Sequence, residues 1–277
     1  MSAFSTLREF AGPADHAACQ SAIRTGSRTF YAASKLLPFS VRKPAYGLYA
    51  FCRLSDDAID LGDGSPGVLE RLRHRLALAC EGRPLPFPAD RAMADVMRRH
   101  AIPRTIPEAL LEGLGWDCDG RRYETLEDLQ AYAARVASTV GVMMTLLMGV
   151  RDAGARVRSG VAALPASCRP AILAAADIYG AIGTEVARAR FDSVTRRARV
   201  SGGQKVRLLA KAAISAAWIP ADQGHPPLAA TAFLIDDVIH SRLRPETKPG
   251  LVGALLPRFG RIVEIVERLE RAEQFGE

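Results

Sequence analysis

Apolar residues that recur at helical spacing constrain the fold of this chain more than any other feature of its sequence. From Thr125 to Gly149 they advance in alternating steps of four and three, and the same pattern returns twice further on. The three stripes are Leu129, Ala133, Val136, Val140, Met143 and Leu147; Ile172, Ala176, Tyr179, Gly183 and Val186; and Val252, Leu255, Phe259, Ile262, Val266 and Leu269. No segment shows sustained period-two alternation. We therefore predict an all-α protein of roughly eight helices in one bundle, without internal repeats.

Prolines and glycines divide the chain into pieces of helical length. They predict one helix from Asp15 to Leu36, a second from Pro44 through Ile59, and a third from Pro66 to near Cys80. The stretch from Gly82 to Pro88 is predicted to be a loop. A chain of 277 residues with 48% apolar residues can bury one large core, so we expect a single domain over residues 1–277.

Composition limits the kinds of binding partner and the cellular compartment that we expect for this protein. The formal charge of +7 suits phosphate-bearing ligands or an anionic membrane surface, whereas the aromatic content of 6% argues against nucleic acid. The five cysteines are scattered without metal-binding spacing, as is typical of reduced thiols in the cytoplasm. The first residues contain no apolar signal segment, and the longest apolar run, Thr139 to Val150, is too short to span a bilayer. We expect a cytoplasmic protein, with peripheral contact at the inner membrane left open.

One helical face carries an electrostatic conflict. Tyr49, Arg53, Asp56 and Asp60 follow one another at spacings of four, three and four, so they share a face. Carboxylates one turn apart repel each other, and the dipole of a helix C-terminus adds to that repulsion. Because Mg²⁺ is commonly held by one or two carboxylates plus substrate phosphates, the pair predicts a divalent metal that carries a phosphate. Arg53 could be a structural ion-pair partner or a clamp for a diphosphate.

Two further groups allow two interpretations each. Ser27, Arg28, Thr29 and Phe30 combine hydroxyls with a cation that suits phosphate oxygens, but the cluster could equally mark a helix end. Three methionines near the end of the first stripe fit a hydrophobic core better than the wall of a substrate cavity; they are Met143, Met144 and Met148.

Longer motifs that contain these clusters resemble the bacterial phytoene synthases of the squalene/phytoene synthase family. The matching segments, in order, are Gly26-Ser27-Arg28-Thr29-Phe30-Tyr31-Ala32-Ala33-Ser34, Leu37-Pro38, Leu48-Tyr49-Ala50-Phe51-Cys52-Arg53 with the Asp56/Asp60 pair, Leu111-Glu112-Gly113, Trp116-Asp117, Tyr123-Glu124-Thr125-Leu126, Tyr132 to Gly141, Leu147-Met148-Gly149, Leu164-Pro165, Cys168-Arg169-Pro170-Ala171-Ile172, Ile178-Tyr179, Phe191-Asp192-Ser193-Val194, Arg196-Arg197-Ala198 and Lys205.

The resemblance implies a helical bundle of the isoprenoid-synthase type with a central cavity. It implies a transferase of carotenoid biosynthesis, which joins two geranylgeranyl diphosphates head to head into phytoene with Mg²⁺ or Mn²⁺. Asp56 and Asp60 are then metal ligands and catalytic residues, together with Arg53, Tyr49 and Tyr132. The implied substrate-binding residues are Ser27, Arg28, Phe30, Val136, Val140, Gly141, Met144, Tyr179, Arg196 and Lys205. The implied partner is a prenyl diphosphate; an oligomer is left open, and no nucleic acid is expected.

The sequence departs from the family pattern after Asp152. A second aspartate-rich motif and its helix are expected there, but only Ala153 to Ala163 precede the next matching segment. Asp236-Asp237 has the wrong order and spacing to replace that motif. An internal deletion would leave the bundle incomplete on one side of its cavity, with the faces around Val136 and Val140 partly uncovered. Three functions remain open: a working synthase that compensates, an inactive member that binds prenyl lipid or assists assembly, and a defective gene product.

Overall fold

Helices account for all regular secondary structure in the part of the chain that the structure describes. A computed structural model describes residues 9–61, 66–150, 161, 164–190, 192, 198–219 and 229–234. The helices are α1 (Pro13–Gly26), α2 (Arg28–Ser34), α3 (Phe39–Asp60), α4 (Pro66–Cys80), α5 (Pro88–His100), α6 (Thr105–Cys118), α7 (Leu126–Ala133), α8 (Thr139–Leu147), α9 (Arg169–Arg188) and α10 (Gly202–Ser215). A π-helical turn, Ala134–Ser138, joins α7 to α8, and a short 3₁₀ turn spans Ala229–Thr231. The all-α prediction is confirmed.

The helices fall into two compact units, and the first contains residues 1–26, 43–157 and 226–244. In it α1 packs on α5, α4 packs on α5 and α6, and α6 packs on α8 and the π turn. Helices α3 and α5 approach closely at Gly47, where an added Cβ would lie 2.9 Å from the Cβ of Ala92. The largest fully buried side chains of this unit are Leu48, Phe51, Leu72, Leu76, Met93, Ile106, Leu111, Thr139, Met143, Leu146 and Leu234.

Hydrogen bonds to Asp95 and an ion pair with Arg91 hold the N-terminal segment and α1 against α5. The carboxylate of Asp95 accepts hydrogen bonds from the backbone N–H groups of Phe10 and Ala11, at 2.9–3.1 Å. The guanidinium of Arg91 donates to both oxygens of Asp15 in α1, at 2.9 and 2.5 Å. Because both carboxylates are buried, these bonds compensate groups that would otherwise be costly to remove from water.

The second unit contains residues 27–42, 158–225 and 245–277. In it α9 packs against α2 and α10 through buried small and branched side chains, which include Ala174, Ile178, Leu209 and Ala212. Lys211 of α10 pairs with Asp177 of α9 at 3.3 Å. A single domain over 1–277 stays a prediction, as does the interruption near 153–163, since most of that segment lies outside the described residues.

Two predicted helix boundaries are wrong. The helix expected from Asp15 to Leu36 is broken at Ser27, whose backbone is extended. The side-chain oxygen of Ser27 caps α2 by accepting a hydrogen bond from the N–H of Phe30 at 3.2 Å. Pro44 does not begin its helix, because α3 starts at Phe39. A proline in the second turn removes the hydrogen bond that a backbone N–H at this position would give to the carbonyl of Ser40, which is an exposed residue. By contrast, α4 runs from Pro66 to Cys80 as predicted.

The apolar stripes only partly mark the core. In the first, Met143 and Leu147 are buried but Leu129 and Ala133 are exposed, because the π turn between them adds a residue and rotates the helical face. In the second, α9 buries Ala171, Ala174 and Ile178 rather than the predicted positions. The third stripe lies outside the described residues. Within the described residues no helix has the length and apolarity needed to cross a membrane.

Candidate active site

The C-terminal half of α3 presents its acidic face as predicted. Arg53 lies between two carboxylates: its Nη1 donates to Asp56 at 3.1 Å, and its Nε and Nη2 contact Asp57 at 3.1 and 2.5 Å. All three side chains are about half exposed, between 41% and 44%. Arg53 is thus an ion-pair partner in this structure. Its pairs lie at a solvent-accessible position, where such contacts are weak and exchangeable.

The carboxylate of Asp56 is repelled by neighbouring carboxylates, as the sequence pattern predicts. Burial raises the pKa of its carboxyl above the ordinary 3.8, and the charges of Asp60, Asp57 and Asp117 raise it further, while Arg53 opposes them. The helix therefore holds a carboxylate in surroundings that disfavour its negative charge. A cation bound there would relieve this repulsion.

Tyr49, two turns before Asp56, is half-buried and lies over the end of α1. A Cβ added to Gly26 would lie 2.6 Å from the Tyr49 hydroxyl oxygen. Only glycine at the last position of α1 leaves room for the phenol in this rotamer. The sequence placed Tyr49 on the acidic face, but this close approach to Gly26 depends on packing.

Tyr132 is held at its hydroxyl by a carboxylate from a different helix. Its O–H, in the last turn of α7, donates to Asp117 in the last turn of α6 at 2.8 Å. Burial raises the pKa of Tyr132, and the hydrogen bond to Asp117 and the charge of Asp56 raise it further, so the phenol remains protonated at neutral pH. The pair lies within electrostatic range of Asp56.

Aromatic rings and arginines surround this hydrogen bond. Tyr132 lies 4.9 Å from Tyr123 and 6.5 Å from Trp116, measured between ring centroids. Arg121 and Arg135 lie over the Trp116 ring at 4.0 and 4.5 Å. These contacts fix the Tyr132 ring, whereas its hydroxyl is fixed by Asp117.

The expected wall of the prenyl cavity begins within the π turn and continues along α8. Val136, Val140 and Met144 are half-buried, and Gly141 is exposed with no atom within 4 Å of an added Cβ. Met143 and Met148 are buried, which confirms their assignment to the core. The half-buried residues follow one another at spacings of four and form an apolar strip, whose Val136 lies against α6 at Gly113. Their role as cavity wall stays a prediction.

The second unit brings together two of the other predicted residues. The rings of Phe30 and Tyr179 are 5.1 Å apart; burial raises the pKa of the Tyr179 phenol, and the Ser27 hydroxyl opposes that rise. Arg28 is exposed at the first position of α2, and Lys205 is half-buried in the first turn of α10. Ser27 therefore caps a helix, which is one of the two interpretations of its cluster. Arg196 lies outside the described residues, as do Asp236 and Asp237.

The donor set suits a metal ion that substrate oxygens complete. Asp56 and Asp60 supply two carboxylates one helical turn apart, and Mg²⁺ typically takes one or two carboxylates with phosphate oxygens and water. Within the described ranges no group of three or more His, Cys, Asp or Glu side chains is arranged to hold a metal by itself. The residues therefore fit a metal that arrives with a diphosphate better than a permanent protein-ligated metal.

Three residues of this region were not assigned a role from the sequence. Asp57 shares Arg53 with Asp56, Asp117 binds Tyr132, and Tyr123 packs on the Tyr132 ring. Trp116-Asp117 and Tyr123-Glu124 lay within the family-like segments, so a signal for the last two was present. Nothing in their spacing indicated that α6 and α7 bring them together.

Over the described residues, the fold and the site define an all-helical protein with an acidic helix that could bind a metal–diphosphate group. Comparisons with known proteins identify its family. Residues 23–159 match the squalene/phytoene synthase family model. The chain is 37% identical to a phytoene synthase of Rhodobacter capsulatus, over 88% of this chain and 95% of that protein. It is 36% identical to a phytoene synthase of Cereibacter sphaeroides, over 87% and 93% respectively. The chain belongs to the squalene/phytoene synthase family.

A solved structure supports the same fold. The chain is similar to a crystal structure of a dehydrosqualene synthase in complex with ligand, with a TM-score of 0.62 and 25% identity. The match covers 72% of this chain and 95% of that chain. The expectation of an isoprenoid-synthase-type helical fold is therefore confirmed; its incompleteness on one side stays a prediction.

Proposed function

We propose that this chain is a prenyltransferase that joins two geranylgeranyl diphosphates head to head into phytoene, with Mg²⁺ or Mn²⁺ as its metal. The observation that carries the proposal is the Asp56/Asp60 pair, in which burial and neighbouring carboxylates disfavour the charge of Asp56. This repulsion is a cost to the fold that a metal–diphosphate ligand would remove. The relatives that the chain matches over most of their length are named phytoene synthases, which supports the same substrate class.

The residues of the first unit then have distinct tasks. Asp56 and Asp60 would hold the metal that reaches the site with the substrate diphosphate. When bound, that metal supplies Lewis-acid stabilisation of the departing diphosphate. Arg53, already half exposed, can exchange its contact with Asp56 for a diphosphate oxygen and keep its contact with Asp57. Tyr49 and Tyr132 would present hydroxyls to the reacting end of the substrate.

The remaining expected residues would bind the rest of the substrates. Ser27, Arg28, Lys205 and Arg196 supply hydroxyls and cations that suit diphosphate oxygens. Phe30 and Tyr179 supply aromatic surface. The apolar strip of Val136, Val140, Gly141 and Met144 would contact the prenyl chains.

We propose further that the chain lacks the second aspartate-rich motif of its relatives. No Asp-x-x-x-Asp follows Asp60. The alignment with the Rhodobacter capsulatus protein runs over 324 positions, more than the 277 residues of this chain, which supports an internal gap. The family match also ends at residue 159, where the gap is expected. A synthase built in this way would depend on Asp56, Asp60 and the substrate's own phosphates, so we expect it to need more metal than a two-motif enzyme.

Product formation tests the proposal. Purified protein is incubated with geranylgeranyl diphosphate over a range of Mg²⁺ concentrations, and the extract is analysed for phytoene. We expect phytoene from the wild type and at least a 100-fold loss in Asp56→Ala, because a metal-binding carboxylate acts directly on the reacting group. Glu124→Ala, which removes an exposed carboxylate outside the site, is the matched control and should retain full activity.

The other outcomes separate the alternative functions. Saturable, Mg²⁺-dependent binding of the diphosphate without product would contradict catalysis and indicate a prenyl-lipid binding protein. A protein that binds neither metal nor diphosphate and shows no cooperative unfolding would indicate a defective gene product. Product formation that survives Asp56→Ala would overturn the assignment of the site.

We also propose peripheral contact with an anionic membrane through one face of α10 and the turn that follows it. Arg207, Lys211, Ile214 and Trp218 follow at spacings of four, three and four, and all are exposed. Ile214 is 66% and Trp218 83% exposed, which is unusual for large apolar side chains. Arg207, and Lys211 in its exposed ion pair with Asp177, place positive charge beside a tryptophan, which suits the interface of an anionic bilayer. A prenyl lipid substrate gives such contact a purpose.

Vesicle binding tests this surface. The wild type should co-sediment with vesicles that contain phosphatidylglycerol and much less with pure phosphatidylcholine. Arg207→Glu/Lys211→Glu and Trp218→Ala should each reduce sedimentation, whereas Arg188→Glu, an exposed charge change on α9, should not. Equal sedimentation of all variants would contradict the proposal.

A further inference from the structure

A hydrogen bond between the carboxylate of Asp117 and the phenol of Tyr132 connects α6 to α7. The two residues lie fifteen positions apart, and the carboxylate accepts the phenol proton at 2.8 Å. Thr125 caps α7 by accepting a hydrogen bond from the N–H of Asp128 at 3.1 Å, which fixes where the helix that carries Tyr132 begins. Each partner therefore projects from a defined position on a helix.

The ring of Tyr132 is restrained independently of its hydroxyl. Tyr123 and Trp116 pack on it, and Arg135 of the π turn contacts α6 at two points, over the Trp116 ring and in an ion pair with Glu112 at 2.8 Å. With the ring held in this way, rotation about the C–O bond is the remaining freedom of the phenol. The carboxylate of Asp117 removes that freedom by accepting the hydrogen bond from the phenol.

The Tyr123 hydroxyl lies in the same group and is buried, yet finds no hydrogen-bond partner among the residues that the structure describes. A carboxylate can accept several hydrogen bonds, so Asp117 has capacity beyond the one from Tyr132. The structure nevertheless gives its hydrogen bond to Tyr132 and not to Tyr123. Asp117 thus distinguishes between two neighbouring phenols.

We propose that Asp117 is a positioning residue for Tyr132: it keeps the phenol proton directed at α6, so that the Tyr132 oxygen faces the substrate as an acceptor. A phenol oxygen whose proton is given to a carboxylate carries more negative charge than a free phenol. Such an oxygen can stabilise a nearby developing cation. When it takes a proton that the substrate loses, its own proton passes along the hydrogen bond to the carboxylate of Asp117, so that Tyr132 stays neutral and Asp117 becomes a carboxylic acid. This inference rests on the proposed function.

A double-mutant cycle tests the role of Asp117. Asp117→Ala should lower kcat about 10- to 100-fold, the range expected for loss of a hydrogen bond to a charged group, with little change in KM. Asp117→Asn should retain more activity than Asp117→Ala, because the amide oxygen still accepts the Tyr132 proton. In a Tyr132→Phe background, Asp117→Ala should cause little further loss, since the bond it removes is already absent. Asp119→Asn, a change of the neighbouring exposed acid, is the control.

A spectroscopic measurement gives a readout that does not depend on activity. The chain has two tryptophans, so Trp218→Phe leaves Trp116, which stacks on Tyr132, as the sole tryptophan, whose emission can be excited selectively over that of the tyrosines. In that background Asp117→Ala and Tyr132→Phe should change the Trp116 emission in the same way, and the double variant should show no further change. Asp119→Asn should leave the emission unchanged.

The two readouts separate this inference from the proposed function. Phytoene formation by the wild type together with additive losses in the cycle would overturn the role of Asp117 and leave the proposed function standing. A wild type that forms no phytoene would overturn the proposed function; the emission cycle then decides whether Asp117 positions Tyr132. Emission changes that add independently would overturn the positioning role in either case.

Discussion

Single residues show where this chain gives up stability to build its site. Asp56 is placed among Asp57, Asp60 and Asp117 although each of these charges disfavours its ionised form. Gly26 leaves the end of α1 without a side chain, which gives the Tyr49 hydroxyl its room. Conflicts of this kind concentrate at functional sites, because a fold selected only for stability would remove them.

Asp56→Asn should raise the stability of the metal-free protein while it abolishes activity. The neutral amide relieves the repulsion and the burial cost, and Arg53 keeps its pair with Asp57. We expect a gain of about 0.5 kcal/mol, or about 1–2 °C in Tm, measured by thermal unfolding without Mg²⁺ at pH 7. Glu124→Gln is the control for removal of an acidic charge. A lower Tm in Asp56→Asn would show that the Arg53 contact outweighs the repulsion.

Gly26→Ala should displace Tyr49, because the new Cβ would approach its hydroxyl oxygen to 2.6 Å. A shift of the phenol by about 1 Å predicts a loss of about 10- to 100-fold in kcat/KM. Gly183→Ala is the matched control: its Cβ would meet no atom within 4 Å, and alanine there should stabilise α9 by about 0.5–1 kcal/mol. Unchanged kinetics in Gly26→Ala would remove Tyr49 from the site.

At the scale of elements, the chain depends on a few contacts that join helices distant in sequence. Asp15 and Arg91 link α1 to α5, Asp117 and Tyr132 link α6 to α7, and the π turn fits against α6 at Gly113. The capping side chain of Ser27 could be anticipated from its hydroxyl, although the proline spacing favoured one uninterrupted helix. The position of the π turn could not, since an inserted residue in a helix leaves no periodic signal of its own.

Asp15→Asn should destabilise the protein in a pH-dependent way. The hydrogen bond from Arg91 is the largest cause that lowers the pKa of Asp15 below 3.8 in the folded state. The stability it contributes is therefore complete above the unfolded-state pKa and is lost as the pH falls through the lower folded-state pKa. We expect the variant to lose about 1 kcal/mol at pH 7 by urea unfolding, and the difference from wild type to vanish in strong acid. A constant difference at every pH would exclude the ion pair as its cause.

Gly113→Ala should push the π turn away from α6. Its Cβ would lie 2.7 Å from the Cβ of Arg135 and 2.8 Å from Cγ1 of Val136, which are near the backbone and cannot swing aside. Overpacking of this kind typically costs about 1–3 kcal/mol, to be measured by urea unfolding. Since Val136 begins the expected cavity wall, we expect KM for the prenyl substrate to rise as well. Wild-type stability in this variant would mean that the two helices separate easily.

For the whole molecule, the expected ligand should stabilise the fold only when metal and diphosphate are present together. The described residues offer two carboxylates and no complete metal cage, so Mg²⁺ alone should bind weakly. With Mg²⁺ and an unreactive prenyl diphosphate analogue at about 100 times its Kd, we expect a stabilisation of about 2.7 kcal/mol, or about 5–10 °C in Tm. Asp60→Asn should reduce this shift. An equal shift with Mg²⁺ alone would indicate a preformed metal site elsewhere.

The sequence by itself determined the helical class, the acidic face of α3 and the membership of the family. Helical periodicity and the spacing of Tyr49, Arg53, Asp56 and Asp60 are local properties, which a chain expresses without reference to distant residues. Tertiary structure alone decided which side chains meet: Asp117 with Tyr132, Asp15 with Arg91, and Phe30 with Tyr179. Such contacts depend on the packing of helices, and packing is set by the burial of many side chains at once rather than by any short pattern.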